Sequence, residues 1–198
     1  MTASAPPAQS PAQILAARPP EQWFALAELA PDALPHLLLG AGVRGHVNAL
    51  VGAEQFPDAV RLLAHALPRR EGVWWAWWCA RRASGAEPPP AVAASIAATE
   101  RWIAQPTDEH RRAAFAAAEV VGIGSPAGCA GAAAFFSGGS MGPPNVGEVP
   151  PPEYASAKAV AGGVTLSAVA GDPPGAPDRF RQYLEQGLEV GRRVGLWT

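Results

Sequence analysis

Nowhere along this chain do apolar and polar residues alternate over the length of a strand. Apolar side chains recur instead at steps of three and four, in segments punctuated by proline and glycine. That spacing places them on one face of an α-helix and not on one face of a sheet. Pro57-Asp58 opens one such segment, Val60, Leu63 and Leu67 form its stripe, and Pro68 closes it. Proline suits the first turn of a helix, where its missing N–H is no loss. Val92, Ile96, Thr99 and Ile103 repeat the pattern up to Pro106, and Phe180, Leu184 and Leu188 carry it close to the end. Thr107 and Ser125 stand where helix N-caps belong, the first followed by Asp108-Glu109 at the positive end of a helix dipole, the second by Pro126. The spacing predicts an all-α fold.

Composition then sets how such helices can pack. Of 198 residues 43 are Ala, with 21 Gly and 22 Pro, so bulky side chains are scarce. Small residues let neighbouring helices approach closely, above all over Ala127–Phe136 and around Gly162-Gly163. The length suits a single compact multi-helix domain over residues 21–198, as an antiparallel bundle or a right-angled helical array. Pro/Gly connections fall at 85–90 and 137–152, and residues 1–20 read as a mobile Ala/Pro-rich arm. Short helices are expected over Glu21–Ala30 and His36–Gly40, ahead of one over Val43–Glu54.

Only 16% of residues are charged and the net charge is -2, which argues against a basic nucleic-acid binder and against an acidic tail protein. No cationic start precedes an apolar core, and no apolar run is long enough to span a bilayer. Cys79 and Cys129 lie in Ala-rich helical patterns without metal-ligand spacing, as reduced, buried thiols would. A cytoplasmic protein without cofactor, metal or membrane span is the expectation.

Four places could carry chemistry or recognition. Gly138-Gly139-Ser140-Met141-Gly142 spells a nucleophile elbow, but that motif needs a strand before it and a later His, and every His precedes Ser140. A helix end released by glycines explains it better. Gly122 to Gly128 has the look of a phosphate loop, yet no strand precedes it, no Lys follows, and Pro126 removes a donor, so a joint between helices is preferred. Asp108, Glu109, Arg111, Arg112, Ser137 and Ser140 form the one polar set that an enzyme could use, provided they converge on a pocket. Asp108 can also pair with Arg111 or Arg112 on its own helix, which is routine.

The fourth place is a tryptophan helix over Arg70–Ser84. Trp74, Trp77 and Trp78 share one broad face and Trp75 points away from it. A small core takes two or three such rings, so one is expected to be partly exposed. Exposed Trp beside Arg81-Arg82 is the composition of a protein-binding hot spot. Trp74, Trp75, Trp78, Arg81 and Arg82 are therefore the partner-binding candidates, against the alternative that all four rings pack inside.

Several blocks occur together in order: Trp74-Trp75-Ala76 with Cys79-Ala80-Arg81, Glu100-Arg101-Trp102, Pro106-Thr107-Asp108-Glu109 with Arg111-Arg112-Ala113-Ala114, Pro126-Ala127-Gly128, and Ser137-Gly138-Gly139-Ser140 with Pro143-Pro144. Over about Phe56–Val194 the chain resembles an uncharacterised bacterial family, a domain of unknown function, and the resemblance implies genes that often lie near type VI secretion components such as spike and tip proteins. The resemblance implies an accessory or adaptor role and supplies no catalytic residue. A non-enzymatic helical interaction module, its partner another protein such as a secretion-apparatus component, is the leading expectation. A small-molecule-binding bundle, or a small enzyme using the 107–140 polar residues, is the alternative.

Overall fold

The computed structural model describes residues 24–38, 41–143 and 147–197. Eight α-helices of ten or more residues follow one another: α1 Val43–Gly52, α2 Phe56–Ala66, α3 Arg69–Ala83, α4 Pro90–Ala104, α5 Asp108–Val121, α6 Pro126–Phe135, α7 Ala155–Val169 and α8 Ala176–Arg193. Short 3-10 turns at Leu34–His36 and Pro173–Gly175 precede α1 and α8. Among the described residues there is no strand. The arm at 1–20 lies outside them.

The middle of the domain is built on α6, whose sequence is nearly all Ala, Gly and Cys. Every residue from Ala127 to Phe135 is buried, and the helix packs against α3, α4, α5 and α7. Such company is possible because it has almost no side-chain girth. A Cβ on Gly131 would stand 2.7 Å from the Ala114 carbonyl oxygen of α5. One on Gly163 of α7 would stand 3.0 Å from the Cys129 Cβ of α6. The glycines that weaken these helices as isolated segments are what let them meet.

On the other side of α3 and α7 the core is made of larger residues. Leu50, Val60, Leu62, Leu63, Val73, Trp75, Val160, Val164 and Leu184 are essentially inaccessible to solvent. Trp75 is fully buried, and its indole Nε1 donates to the Tyr183 carbonyl of α8 at 2.7 Å. The reason is visible opposite it: α8 has Gly187 at the contact, leaving room for the indole between α3 and α8. A partner helix with a gap turns the face of α3 away from the other tryptophans into a second buried face.

Caps fall where the sequence places them. Thr107 accepts from the His110 N–H at 3.2 Å and Ser125 from the Gly128 N–H at 3.1 Å. Three early windows come out shorter than expected. The Glu21–Ala30 window holds one helical turn at 24–26 within its described part. Glu28 then takes φ 52, and the Glu28 and Leu29 N–H groups bond back to the Ala25 and Phe24 carbonyls. That is a left-handed C-terminal cap, and it ends the helix. Glu54, at φ 59, closes α1 in the same manner through Gln55 and Leu50, so α1 stops at Gly52. Of the His36–Gly40 window only the 3-10 turn ending at His36 forms; residues 39 and 40 lie outside the described ones.

Candidate functional site

The C-terminal half of α3 lies beside α8, and between them runs an open groove. Trp77, Trp78 and Tyr183 line it with Arg81, Arg82 and Arg179. Trp77 is nearly buried and its indole N–H donates to the Ile96 carbonyl of α4 at 3.1 Å. Trp78 stays half-buried and meets Tyr183 edge-on at 5.8 Å. Both arginines are exposed and lie over the indoles, Arg81 at 5.6 Å from the Trp77 ring centre and Arg82 at 5.0 Å from that of Trp78. A guanidinium over an indole face is attracted by the ring quadrupole while keeping its N–H edge outward.

Seven arginines of the described residues are ion-paired with acids, while Arg69, Arg70 and Arg101 are not. Arg179 holds Asp172, Arg181 holds Glu54 and Asp178, and Arg192 and Arg193 share Glu189. Arg81 and Arg82 have no carboxylate within ion-pair distance among the described residues. Trp78 also borders a second hollow between α1 and α8 that includes Arg44, Asn48 and Trp197, so the half-buried indole stands between two depressions of one face. Trp74, likewise half-buried, faces Ile103, Val190 and Arg70 further along α3. Of the partner-binding candidates, Trp74, Trp78, Arg81 and Arg82 are thus at the surface and Trp75 is not.

The 107–142 blocks do converge, but on backbone. Arg111 is 4% exposed, and its guanidinium donates to Asp108 Oδ1 at 2.5 and 2.9 Å, to the Phe135 carbonyl at 2.7 Å and to the Ser140 carbonyl at 2.7 Å. Its carbon lies 4.5 Å from the Phe135 ring centre. Arg112 adds bonds to Asp108 Oδ2 and to the Ser140 and Gly142 carbonyls. Both guanidinium groups hold the Asp108 carboxyl below its usual range, Arg112 more than Arg111. The loop after α6 therefore wraps round two arginines of α5. A Cβ on Gly139, at φ 68, would already lie 3.2 Å from Arg111 Nε. The Ser140 hydroxyl accepts the Gly142 and Val149 N–H groups at 3.1 and 3.0 Å, as a turn-forming serine does. The Ser137 hydroxyl donates to Ala134 and its carbonyl accepts from Arg69, while Glu109 is exposed and outside the cluster.

Residues 46–191 match a family of unknown function, DUF6931. The chain belongs to that family. No curated protein and no solved structure matches it. The DUF6931 match takes in the tryptophan helix, the 107–142 clamp and nearly all of α8.

The remaining motifs of this DUF6931 chain are joints. At Gly122–Gly128 the Ser125 hydroxyl donates to Gly122 and accepts from Gly128, and a Cβ on Gly128 would collide with the Gly122 carbonyl. No group of three His, Cys, Asp or Glu could hold a metal among the described residues. Burial pushes the Cys79 thiol well up and the Cys129 thiol up, which keeps both protonated. No described helix is long and apolar enough to cross a membrane. Sequence reasoning missed Arg179, Gln182 and Tyr183 as groove residues. Their only signal is position: they flank the Phe180–Leu184 stripe of α8, and which helix that flank faces is a matter of tertiary packing.

Proposed function

We propose that this protein is a non-enzymatic helical interaction module, an adaptor, chaperone or accessory of a larger bacterial assembly, and that the α3–α8 groove receives an acidic segment of its partner. The observation that carries the reading is the pair Arg81 and Arg82, exposed, stacked on Trp77 and Trp78, and without a carboxylate of their own. Indole floors with outward guanidinium edges suit a segment that offers an apolar side chain beside Asp or Glu. The polar set at 107–142 supports the same reading from the other side, since its arginines and Ser140 are engaged in holding a loop. A secretion apparatus of the type VI kind is the example of such an assembly that this reading puts first.

The test is a native mass spectrum of the protein gently purified from its own cells, beside that of an Arg81→Glu/Arg82→Glu variant. A second polypeptide on the 20.4 kDa chain, lost from the variant while helical circular dichroism is kept, is the expected outcome. A bare chain in both samples, or a partner that the variant retains, would refute the groove as the docking site.

A further inference from the structure

On the opposite side of α3 a cavity of about 250 Å³ opens between α2, the start of α3 and the Pro151–Tyr154 approach to α7. Its walls include Leu67, Arg69, Pro152, Tyr154, Val160 and His65, and they are mostly apolar. His65 is 7% exposed, and its Nδ1 lies 2.8 Å from the Arg61 carbonyl one turn earlier in α2. A carbonyl can only accept, so Nδ1 carries the proton and Nε2 presents a lone pair. Burial, the main influence, pulls the imidazole's affinity for a second proton down and keeps the ring neutral. Nε2 is shielded from solvent and has no hydrogen-bond partner. Buried polar atoms without partners are rare in folded proteins, because the bond to water that they give up is not replaced.

Two further features sit at the same wall. The Tyr154 ring lies 5.5 Å from that of His65, tilted by 38°. Tyr154 itself is held at φ 62, in the left-handed region that a bulky residue rarely adopts, and strain of this kind gathers at ligand clamps and switch points. Pro151 and Pro152 stiffen the chain that leads to it. A mostly apolar hollow with an unpartnered buried acceptor in its wall has the make-up of a small-molecule site.

We infer that this cavity binds a small uncharged molecule with an apolar body and one O–H or N–H donor, of the phenol or small-alcohol class, and that His65 Nε2 accepts the donor's hydrogen. At Nε2 itself the lone pair repels an anion.

The probe is phenol, with toluene as the same ring without the donor, each titrated into the full chain by calorimetry and by NMR of the His65 ring nitrogens. Toluene has the stronger hydrophobic drive, so a non-specific apolar hollow prefers toluene. A site built round Nε2 reverses that order, with phenol about tenfold the tighter and the Nε2 resonance shifting on saturation. A His65→Phe variant, which keeps an aromatic ring and removes the acceptor, loses the preference for phenol. Equal or reversed affinities in the wild type, no saturable phenol binding, or an unmoved Nε2 resonance would each overturn the assignment, and none of these needs the variant to fold. Since the groove variant Arg81→Glu/Arg82→Glu lies across α3, it leaves phenol binding unchanged, so the two proposals fail separately.

Discussion

Replacing Arg111 by Ala tests whether the 107–142 blocks hold the fold together or are free for chemistry. Its guanidinium bridges α5, the end of α6 and the glycine loop through the Asp108, Phe135 and Ser140 oxygens. The Asp108 bond adds little to the total, because that carboxylate is 60% exposed and keeps Arg112. The Ser140 carbonyl also keeps Arg112, at 2.9 Å, and only the Phe135 carbonyl loses this donor outright. A charge-assisted hydrogen bond at a buried carbonyl contributes roughly 1.5–3 kcal/mol, and the desolvated contact with the Phe135 ring adds about 1–2 kcal/mol. With the Ser140 bond partly replaced, the expected loss is about 3–4 kcal/mol in urea unfolding followed by circular dichroism. Arg111→Lys keeps a charge but loses the fork that reaches two carbonyls at once, and falls between the two. A loss under about 1 kcal/mol for Arg111→Ala would refute the clamp and return the arginine to the candidates for binding an anion.

Gly187→Ala on α8 is expected to destabilise the domain, although Ala is the better helix former by about 1 kcal/mol, because its Cβ would stand 2.7 Å from Trp75 Cε2 and 2.8 Å from Leu63 Cδ2. Gly52→Ala, at the open end of α1 with nothing within 4 Å, is expected to raise stability in the same denaturation assay, and the same sign for both variants would refute this account. Glu189 is pulled down to about 2 by its hydrogen bonds from Arg192 and Arg193. The stabilisation it provides is therefore complete above the ordinary carboxylate range and is lost as pH falls toward 2. An NMR titration of its carboxyl carbon should show this low midpoint, and Arg192→Gln with Arg193→Gln should raise it toward 4.5; an ordinary midpoint in the wild type would refute the pairing.

Engagement of polar groups is what separates the recognition reading from the catalytic one. The motif that most looks like a nucleophile, Ser140, has its hydroxyl between two backbone N–H groups and its carbonyl under two guanidinium groups. A serine so placed organises a turn. Arg81 and Arg82 have the contrary property: their positions are set by stacking on indoles, which leaves their hydrogen-bonding edges for something else.

How far the sequence is legible follows from how local each signal is. Thr107 and Ser125 cap helices through a neighbour three residues on, so the pattern alone places them. The stripes of α2 and α8 likewise need only the helical period to be read. Glu28 and Glu54 end helices in left-handed conformations that nothing in a glutamate announces, and those two boundaries come out wrong. The burial of Trp75 has a longer-range cause. Its helix face is apolar enough either to be covered or to bind a partner, and the deciding residue is Gly187, 112 positions later, which makes the space that the indole fills. The same limit governs the groove. Arg81-Arg82 beside tryptophan can be noticed in the sequence, but that these two lack carboxylates while Arg181 finds Glu54 across 127 residues depends on how α8 comes to lie beside α1 and α3. Where an arginine ends up paired is settled by how helices far apart in the sequence come to lie together.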